Sequence, residues 1–135
     1  MIGVVVCTHA NLADALVDAA KMILGDFPNT STVSVLPGDS GEDIVNKLSS
    51  AITQVETGSG VVILCDMFGG TPSNVSLTLL SDSVEIVTGV NLPMLLKLST
   101  CRTQSLSSVA ELIQTHSRDN ILVAGALLRS SGESS

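Results

Sequence analysis

The sequence predicts one α/β domain built on an open, mostly parallel sheet, and three observations carry that expectation. Residues 2–7 and 61–65 are uninterrupted apolar runs of strand length, rich in β-branched side chains and free of polar alternation, which suits strands covered on both faces. The stretches between the apolar runs carry apolar residues at helical spacing. Strand-like and helix-like segments alternate throughout, with no internal repeat, long linker or low-complexity block between them.

Residues 2–7 form the expected first and central strand. Asn11 is placed to cap the following helix, in which Leu12, Leu16, Ala19, Ala20 and Ile23 recur until Gly25 ends it. Residues 32–36 read as a second strand, closed by Pro37 and Gly38. Ser40 and Asp43 have the spacing of a capping box, and Ile44, Val45, Leu48, Ile52 and Val55 make the apolar stripe of the second helix. After a glycine turn at 58–60, residues 61–65 give the third strand, which stops at Asp66. Two glycines, a hydroxyl and a proline follow as Gly69, Gly70, Thr71 and Pro72, so a helix should begin at Thr71 or Pro72. Residues 84–88 are the fourth strand. Pro93 opens a short helix through Lys97 to Cys101, and Leu106, Val109, Ala110 and Ile113 mark the next. Residues 121–128 read as a final strand, ahead of a loose Ser/Gly/Glu tail at 130–135.

Composition removes several classes of function. The 135 residues carry 13 acidic against 6 basic side chains, a net charge of −7. Lys21, Lys47, Lys97, Arg102, Arg118 and Arg129 are scattered and make no stripe that would neutralise phosphates, so nucleic acid and anionic membrane surfaces are not expected partners. With Phe27 and Phe68 as the whole aromatic content, no stacking platform for a flavin, base or sugar is in sight, and no cofactor is expected. Cys7, Cys65 and Cys101 are an odd set without CxxC spacing, which favours buried thiols in a reducing compartment over disulfides or zinc, and no metal is expected. The first apolar run is too short and lacks the basic start of a signal peptide, so the expected location is cytoplasmic. GxxxxGK[ST], GxGxxG and GxSxG are all absent.

In open parallel sheets, ligands meet the carboxyl ends of strands where strand order reverses. His9 follows the first strand and Asp66 the third, and right-handed crossovers allow strands two and three to flank strand one, which makes those ends neighbours. A carboxylate that accepts from one ring nitrogen fixes the tautomer and leaves the other nitrogen free as a nucleophile. The glycines and helix start that follow supply backbone N–H groups for an anion, with Gly70, Thr71 and Ser73 as phosphate cradle. The combination describes a phosphohistidine site with His9 as acceptor and Asp66 as orienter. Each part also has a plain structural use: His9 as a surface or capping residue, Asp66 as a turn cap, Gly69 to Pro72 as a tight connection. His116 has no assigned role.

Three blocks carry a resemblance: CTHANLADAL after the first strand's start, LCDMFGGTPSNV at 64–75 and TGVNLPMLL at 88–96. Together they resemble the IIA component of the mannose family of the bacterial phosphoenolpyruvate-dependent sugar phosphotransferase system (PTS), over residues 1–129. The resemblance implies a three-layer, doubly wound sheet of order 2-1-3-4, with the antiparallel strand at 121–128 exchanged in a homodimer. It implies a phosphotransferase (EIIA) that takes a phosphoryl group from phospho-HPr on His9 and passes it to a IIB component for sugar transport. Asp66 matches the family's orienting aspartate and Thr71 the hydroxyl residue after the glycines. Two partners must reach His9, so it should sit at the floor of a shallow depression rimmed by Met67, Phe68 and Leu92. A IIB domain is expected to be on a separate polypeptide or missing, and any membrane association would be indirect, through IIC and IID. A regulatory phosphohistidine module, the phosphotransfer subunit of dihydroxyacetone kinase and a flavodoxin-like phosphate-ligand binder are the alternatives. The sugar is not selected.

Overall fold

The computed structural model describes residues 1–133. Four strands, β1 (Gly3–His9), β2 (Thr30–Val35), β3 (Val61–Cys65) and β4 (Val84–Thr88), form one sheet in the order β2-β1-β3-β4, and every neighbouring pair is parallel. Six α-helices accompany them: α1 (Leu12–Leu24), α2 (Gly41–Val55), α3 (Thr71–Ser76), α4 (Leu92–Cys101), α5 (Leu106–Asp119) and α6 (Ala124–Glu133). A single 3-10 turn, Leu77–Leu79, follows α3.

The uninterrupted apolar strands are explained by their burial. On one sheet face Ile2, Val4, Val6, Val62 and Leu64 pack with α1, α4 and α5. On the other, Val5, Cys7, Val61, Ile63 and Cys65 meet Ile44, Leu48, Ala51 and Val55 of α2. Helices on both faces make three layers, and burying both sides of β1 and β3 removes any reason for polar alternation. The caps are as the residue types require. Ser40 accepts from the Asp43 N–H while the Asp43 carboxylate accepts from the Ser40 N–H, and Gly25, at φ 85°, donates its N–H to the Lys21 carbonyl.

The chain leaves β1 outward to β2, then crosses back over β1 to reach β3. The reversal therefore lies between β1 and β3, at the end of the sheet where His9 and Asp66 emerge. The opposite end is held by Arg102, which is buried. Its Nε donates to the Ile2 carbonyl at 2.9 Å, its guanidinium also donates to the carbonyls of Pro28 and Asn29, and it stands 5.5 Å from the centre of the Phe27 ring. Its own carbonyl accepts from the Ile2 N–H at 2.9 Å.

Three expectations are corrected. The buried stripe of α1 is Ala13, Val17 and Ala20, while Leu12 and Ile23 face outward; small side chains let the helix lie close to the sheet. Asn11 makes no side-chain cap. The Oγ1 of Thr8, at the end of β1, accepts from the Ala13 N–H at 2.8 Å instead. Finally, residues 121–128 are no strand in this chain. The Ile121 N–H turns back to the Arg118 carbonyl, and from Ala124 the backbone is helical, starting with Leu127 N–H to Val123 carbonyl at 3.1 Å. Only Ile121 and Val123 in that stretch are β-branched, whereas its alanines and leucines are strong helix formers. The helix takes in Ser130 to Glu133 of the expected tail; Ser134 and Ser135 lie outside the described residues.

Candidate functional site

The site begins with the sharp exit from β1. Thr8 points into the interior, where its hydroxyl caps α1 and donates to the His9 carbonyl at 3.2 Å. Ala10 then takes the left-handed conformation at φ 51°, and its N–H is held by the Val35 carbonyl at 2.9 Å. That conformation is costly for a residue with a Cβ, so the turn is held by the bonds on either side of it. Between these two anchors the His9 side chain is carried to the surface, 48% exposed.

Asp66 meets it there. Its Oδ2 lies 2.8 Å from His9 Nδ1 and also accepts the His9 backbone N–H at 3.0 Å, across 57 residues of sequence. Its Oδ1 accepts the Met67 N–H at 3.1 Å. The side chain is 14% exposed. Burial alone would raise its proton affinity, but the hydrogen bonds from the His9 ring and backbone, with their charge attraction, hold it below the usual carboxylate value. An ionised carboxylate only accepts, so Nδ1 carries a proton, and in the neutral form of the ring the free lone pair is on Nε2.

Gly70 lies against the same ring. A Cβ there would stand 2.9 Å from His9 Cε1 and 3.2 Å from Met67 Cγ, so only glycine lets the loop approach this closely. Gly69, at φ 86°, makes the preceding bend. Pro72 occupies the first turn of α3, where a missing N–H costs nothing. Thr71 is exposed at the helix start, whose first N–H groups have no intrahelical acceptor.

Ser73 is placed otherwise than a phosphate cradle requires. It is fully buried, accepting from the Gly69 N–H at 2.9 Å and donating to the Gly70 carbonyl at 3.1 Å. Its hydroxyl staples the loop and is turned away from solvent. Among the rim candidates, Met67 and Phe68 are 52% and 71% exposed, while Leu92 is half-buried against the core on the α4 side. The connection leading to Leu92 is tied to the same end of the sheet by Val90 N–H to Cys65 carbonyl at 3.0 Å. Thr8 and the close contact of Gly70 were missed in the sequence. The available signal for Thr8 was a lone hydroxyl ending an apolar strand five residues before a helical N–H.

Among the described residues no helix is long and apolar enough to cross a membrane, and no group of three or more His, Cys, Asp or Glu side chains is arranged to hold a metal ion.

A hydrogen-bonded imidazole with one free nitrogen, beside a glycine loop and a helix start, is suited to taking up and releasing an electrophilic group. Comparison with known proteins agrees on the class. The family described as PTS system fructose IIA component (EIIA-man) matches residues 3–116. The sorbose-specific EIIA component of Lacticaseibacillus casei is 35% identical over 98 residues, covering 71% of this chain and 70% of that protein. The mannose-specific EIIAB component of Escherichia coli K12 is 33% identical over 98 residues; the match covers 71% of this chain but 30% of that longer protein. Among solved structures, the PTS IIA protein associated with the fucose utilization operon of Streptococcus pneumoniae superposes with a TM-score of 0.79 at 28% identity, covering 93% of this chain and 95% of that one. The phosphotransferase system component EIIA of Streptococcus agalactiae shares the fold at a TM-score of 0.84 and 24% identity, covering 93% and 99%.

Proposed function

The chain belongs to the EIIA-man family of PTS IIA components, and from that premise we propose that it is a cytoplasmic phosphoryl carrier that accepts a phosphoryl group from phospho-HPr on Nε2 of His9 and hands it to a IIB component. The observation that carries this reading is the 2.8 Å bond between His9 Nδ1 and Asp66 Oδ2, with the rest of the ring exposed.

The lone pair of Nε2 attacks the phosphorus in line, the new N–P bond forming as the donor's bond to phosphorus breaks. Positive charge develops on the ring during transfer. Asp66, already ionised and fixed by three N–H donors, stabilises that charge without reorganising. The Nδ1 proton stays on the ring. Gly70 packs against the Cε1–Nε2 edge of the ring, and the N–H groups of the loop and helix start at Gly70 and Thr71 serve as donors to the phosphoryl oxygens, with Ser73 holding the loop in shape. Transfer onward reverses the same steps with IIB as acceptor.

Met67 and Phe68 provide the apolar contact area for both partners in turn, with Leu92 at the margin. A small interface suits a carrier, which must release each partner quickly. We also infer a homodimer. Ile121, Leu122, Val123, Leu127 and Leu128 are all exposed in the single chain and form an apolar stretch that a second copy would cover. Sedimentation at micromolar concentration checks this, and a monomer contradicts it.

The direct test is incubation with enzyme I, HPr and labelled phosphoenolpyruvate. Acid-labile, base-stable phosphate should appear on the parent chain and be absent from His9→Ala. A His9→Ala chain that labels like the parent refutes the reading.

A further inference from the structure

The β1–β3 register places Cys7 directly opposite Cys65. Paired residues on neighbouring strands point to the same sheet face, and both cysteines belong to the buried cluster under α2. Neighbouring strands lie about 4.8 Å apart, inside the range of about 4.4–6.8 Å between the Cα atoms of disulfides. Both thiols are free. The third, Cys101, sits in the cluster on the opposite face of the sheet.

We propose that Cys7 and Cys65 are a reversible dithiol–disulfide pair, an oxidation site set directly beneath His9 and Asp66. Two residues of β1 separate Cys7 from His9, and Asp66 follows Cys65 immediately. Closing the bond requires no change of strand register. It does require the sulfurs to approach to about 2.05 Å, which draws together the two strand ends that carry the imidazole and its carboxylate.

The two thiols have different parts in the chemistry. Cys7 keeps its proton, because the adjacent Cys65 sulfur and burial both push its thiol up. Cys65 gives up its proton more readily, because Cys7 can donate a hydrogen bond to the sulfur left behind, and the Ser76 hydroxyl lies 3.5 Å away on the other side. With a hydroperoxide as oxidant, the Cys65 sulfur attacks the terminal oxygen. The S–O bond forms, the O–O bond breaks, and one water leaves from hydrogen peroxide. The Cys7 sulfur then displaces the hydroxyl group from the Cys65 sulfenic acid, forming the S–S bond; that hydroxyl departs with the Cys7 proton as a second water. The two thiols lose two electrons and the peroxide gains them. A dithiol reductant reverses the reaction by exchange.

Regulation of phosphoryl acceptance by this bond rests on the function proposed above, but the thiol chemistry does not, and the experiment separates them. The full chain is exposed to hydrogen peroxide under native conditions, quenched, unfolded in the presence of an alkylating reagent, and examined by intact and peptide mass spectrometry. The expected result is loss of two hydrogen masses within one chain, a linked pair of peptides containing Cys7 and Cys65, alkylation of Cys101 only, and full reversal by dithiothreitol. In ¹⁵N NMR spectra of the oxidised chain the ring resonances of His9 should move while those of His116 stay. Three alkylated thiols after peroxide, a bond involving Cys101, or sulfinic acid at Cys65 with Cys7 still free would each overturn the proposal. An intact linkage that leaves the His9 ring unmoved would overturn its coupling to the site. A chain that forms the linkage but accepts no phosphate even after full reduction by dithiothreitol would refute the carrier reading and leave the disulfide standing.

Discussion

Gly70 and His9 are fitted to one another: a Cβ built on Gly70 would fall 2.9 Å from the ring's Cε1 and 3.5 Å from Nε2. The first figure is closer than a carbon can approach, so an alanine must push the imidazole off the Asp66 carboxylate or lift the loop. Gly70→Ala is therefore expected to fold, because the loop is at the surface, and to lower the rate of phosphate uptake by about 10- to 100-fold, as a displacement of about 1 Å at a reacting atom does. Rapid-quench labelling with phospho-HPr measures it, alongside a thermal melt.

Asp66→Asn tests the hydrogen bond without removing the side chain's shape. The amide NH₂ can donate to Nδ1, which moves the ring proton to Nε2 and blocks the attacking lone pair. A hydrogen bond to a charged group contributes about 1.5–3 kcal/mol, which at 1.36 kcal/mol per decade corresponds to roughly a 10- to 150-fold slower uptake. An Asn variant with the parent's rate would show that Asp66 has no part in orienting the ring.

The same carboxylate makes stability depend on pH in a definite direction. Its folded proton affinity lies below the ordinary value of 3.8 because the His9 hydrogen bonds outweigh burial. A group depressed on folding stabilises the native state above its unfolded pKa and loses that contribution as pH falls through the lower folded value. Urea midpoints should thus fall, as pH drops below the ordinary carboxylate value of 3.8, more steeply for the parent than for Asp66→Asn. Equal slopes would contradict the assignment.

Thr8→Val keeps the volume but removes the acceptor that the Ala13 N–H uses. Loss of an N-terminal helix cap costs about 1 kcal/mol, equivalent to a drop of about 3–5 °C in Tm for a domain of this size. Because the exit of β1 loosens with it, phosphate uptake should also slow. A melt and a labelling time course separate the two effects.

Arg102→Met provides the contrasting case. The methionine fills the space but takes the Arg102 donor from the Ile2 carbonyl, whereas the carbonyls of Pro28 and Asn29 keep the Thr30 hydroxyl and the Val4 N–H. A loss of about 1–3 kcal/mol is expected, the cost of one buried polar group left unpaired. Labelling at 20 °C, well below the transition, should be unaffected. Loss of labelling in a folded Arg102→Met chain would refute the separation of the two ends.

The strands at Val61–Cys65 and Val84–Thr88 coincide with what the sequence predicts: the first is wholly apolar, the second keeps Val84, Ile86 and Val87 around a single Glu85, and clear turn residues bound both. β2 was displaced by two residues at its start: Thr30 and Ser31 belong to a sheet edge, where half-exposed hydroxyls are as acceptable as apolar groups. In α1 the expected stripe holds at Ala20 but is out of phase at its ends: hydropathy ranks Leu12 and Ile23 as core residues, whereas the face turned to the sheet carries Ala13 and Val17. The apolar content of the stretch from 121 to 128 suits a strand and a helix equally over so short a length, and the structure has a helix from Ala124.

In the site, the proximity of His9 and Asp66 was legible because topology alone brings the ends of β1 and β3 side by side. Whether the Ser73 hydroxyl turns toward an anion or into the loop depends on the path between Gly69 and Pro72, and residue types do not encode that path. Gly70 was identified as a backbone donor, but its contact with the ring is a property of three dimensions only.

Arg102 ties the amino ends of β1 and β2 together, a full strand length from His9. At this end of the sheet, heat tolerance can be adjusted at a distance from the chemistry. Substitutions that adapt the chain to a hotter or colder habitat can accumulate around the guanidinium without retuning the imidazole, and selection for a new docking partner can proceed at the other rim without loosening the staple.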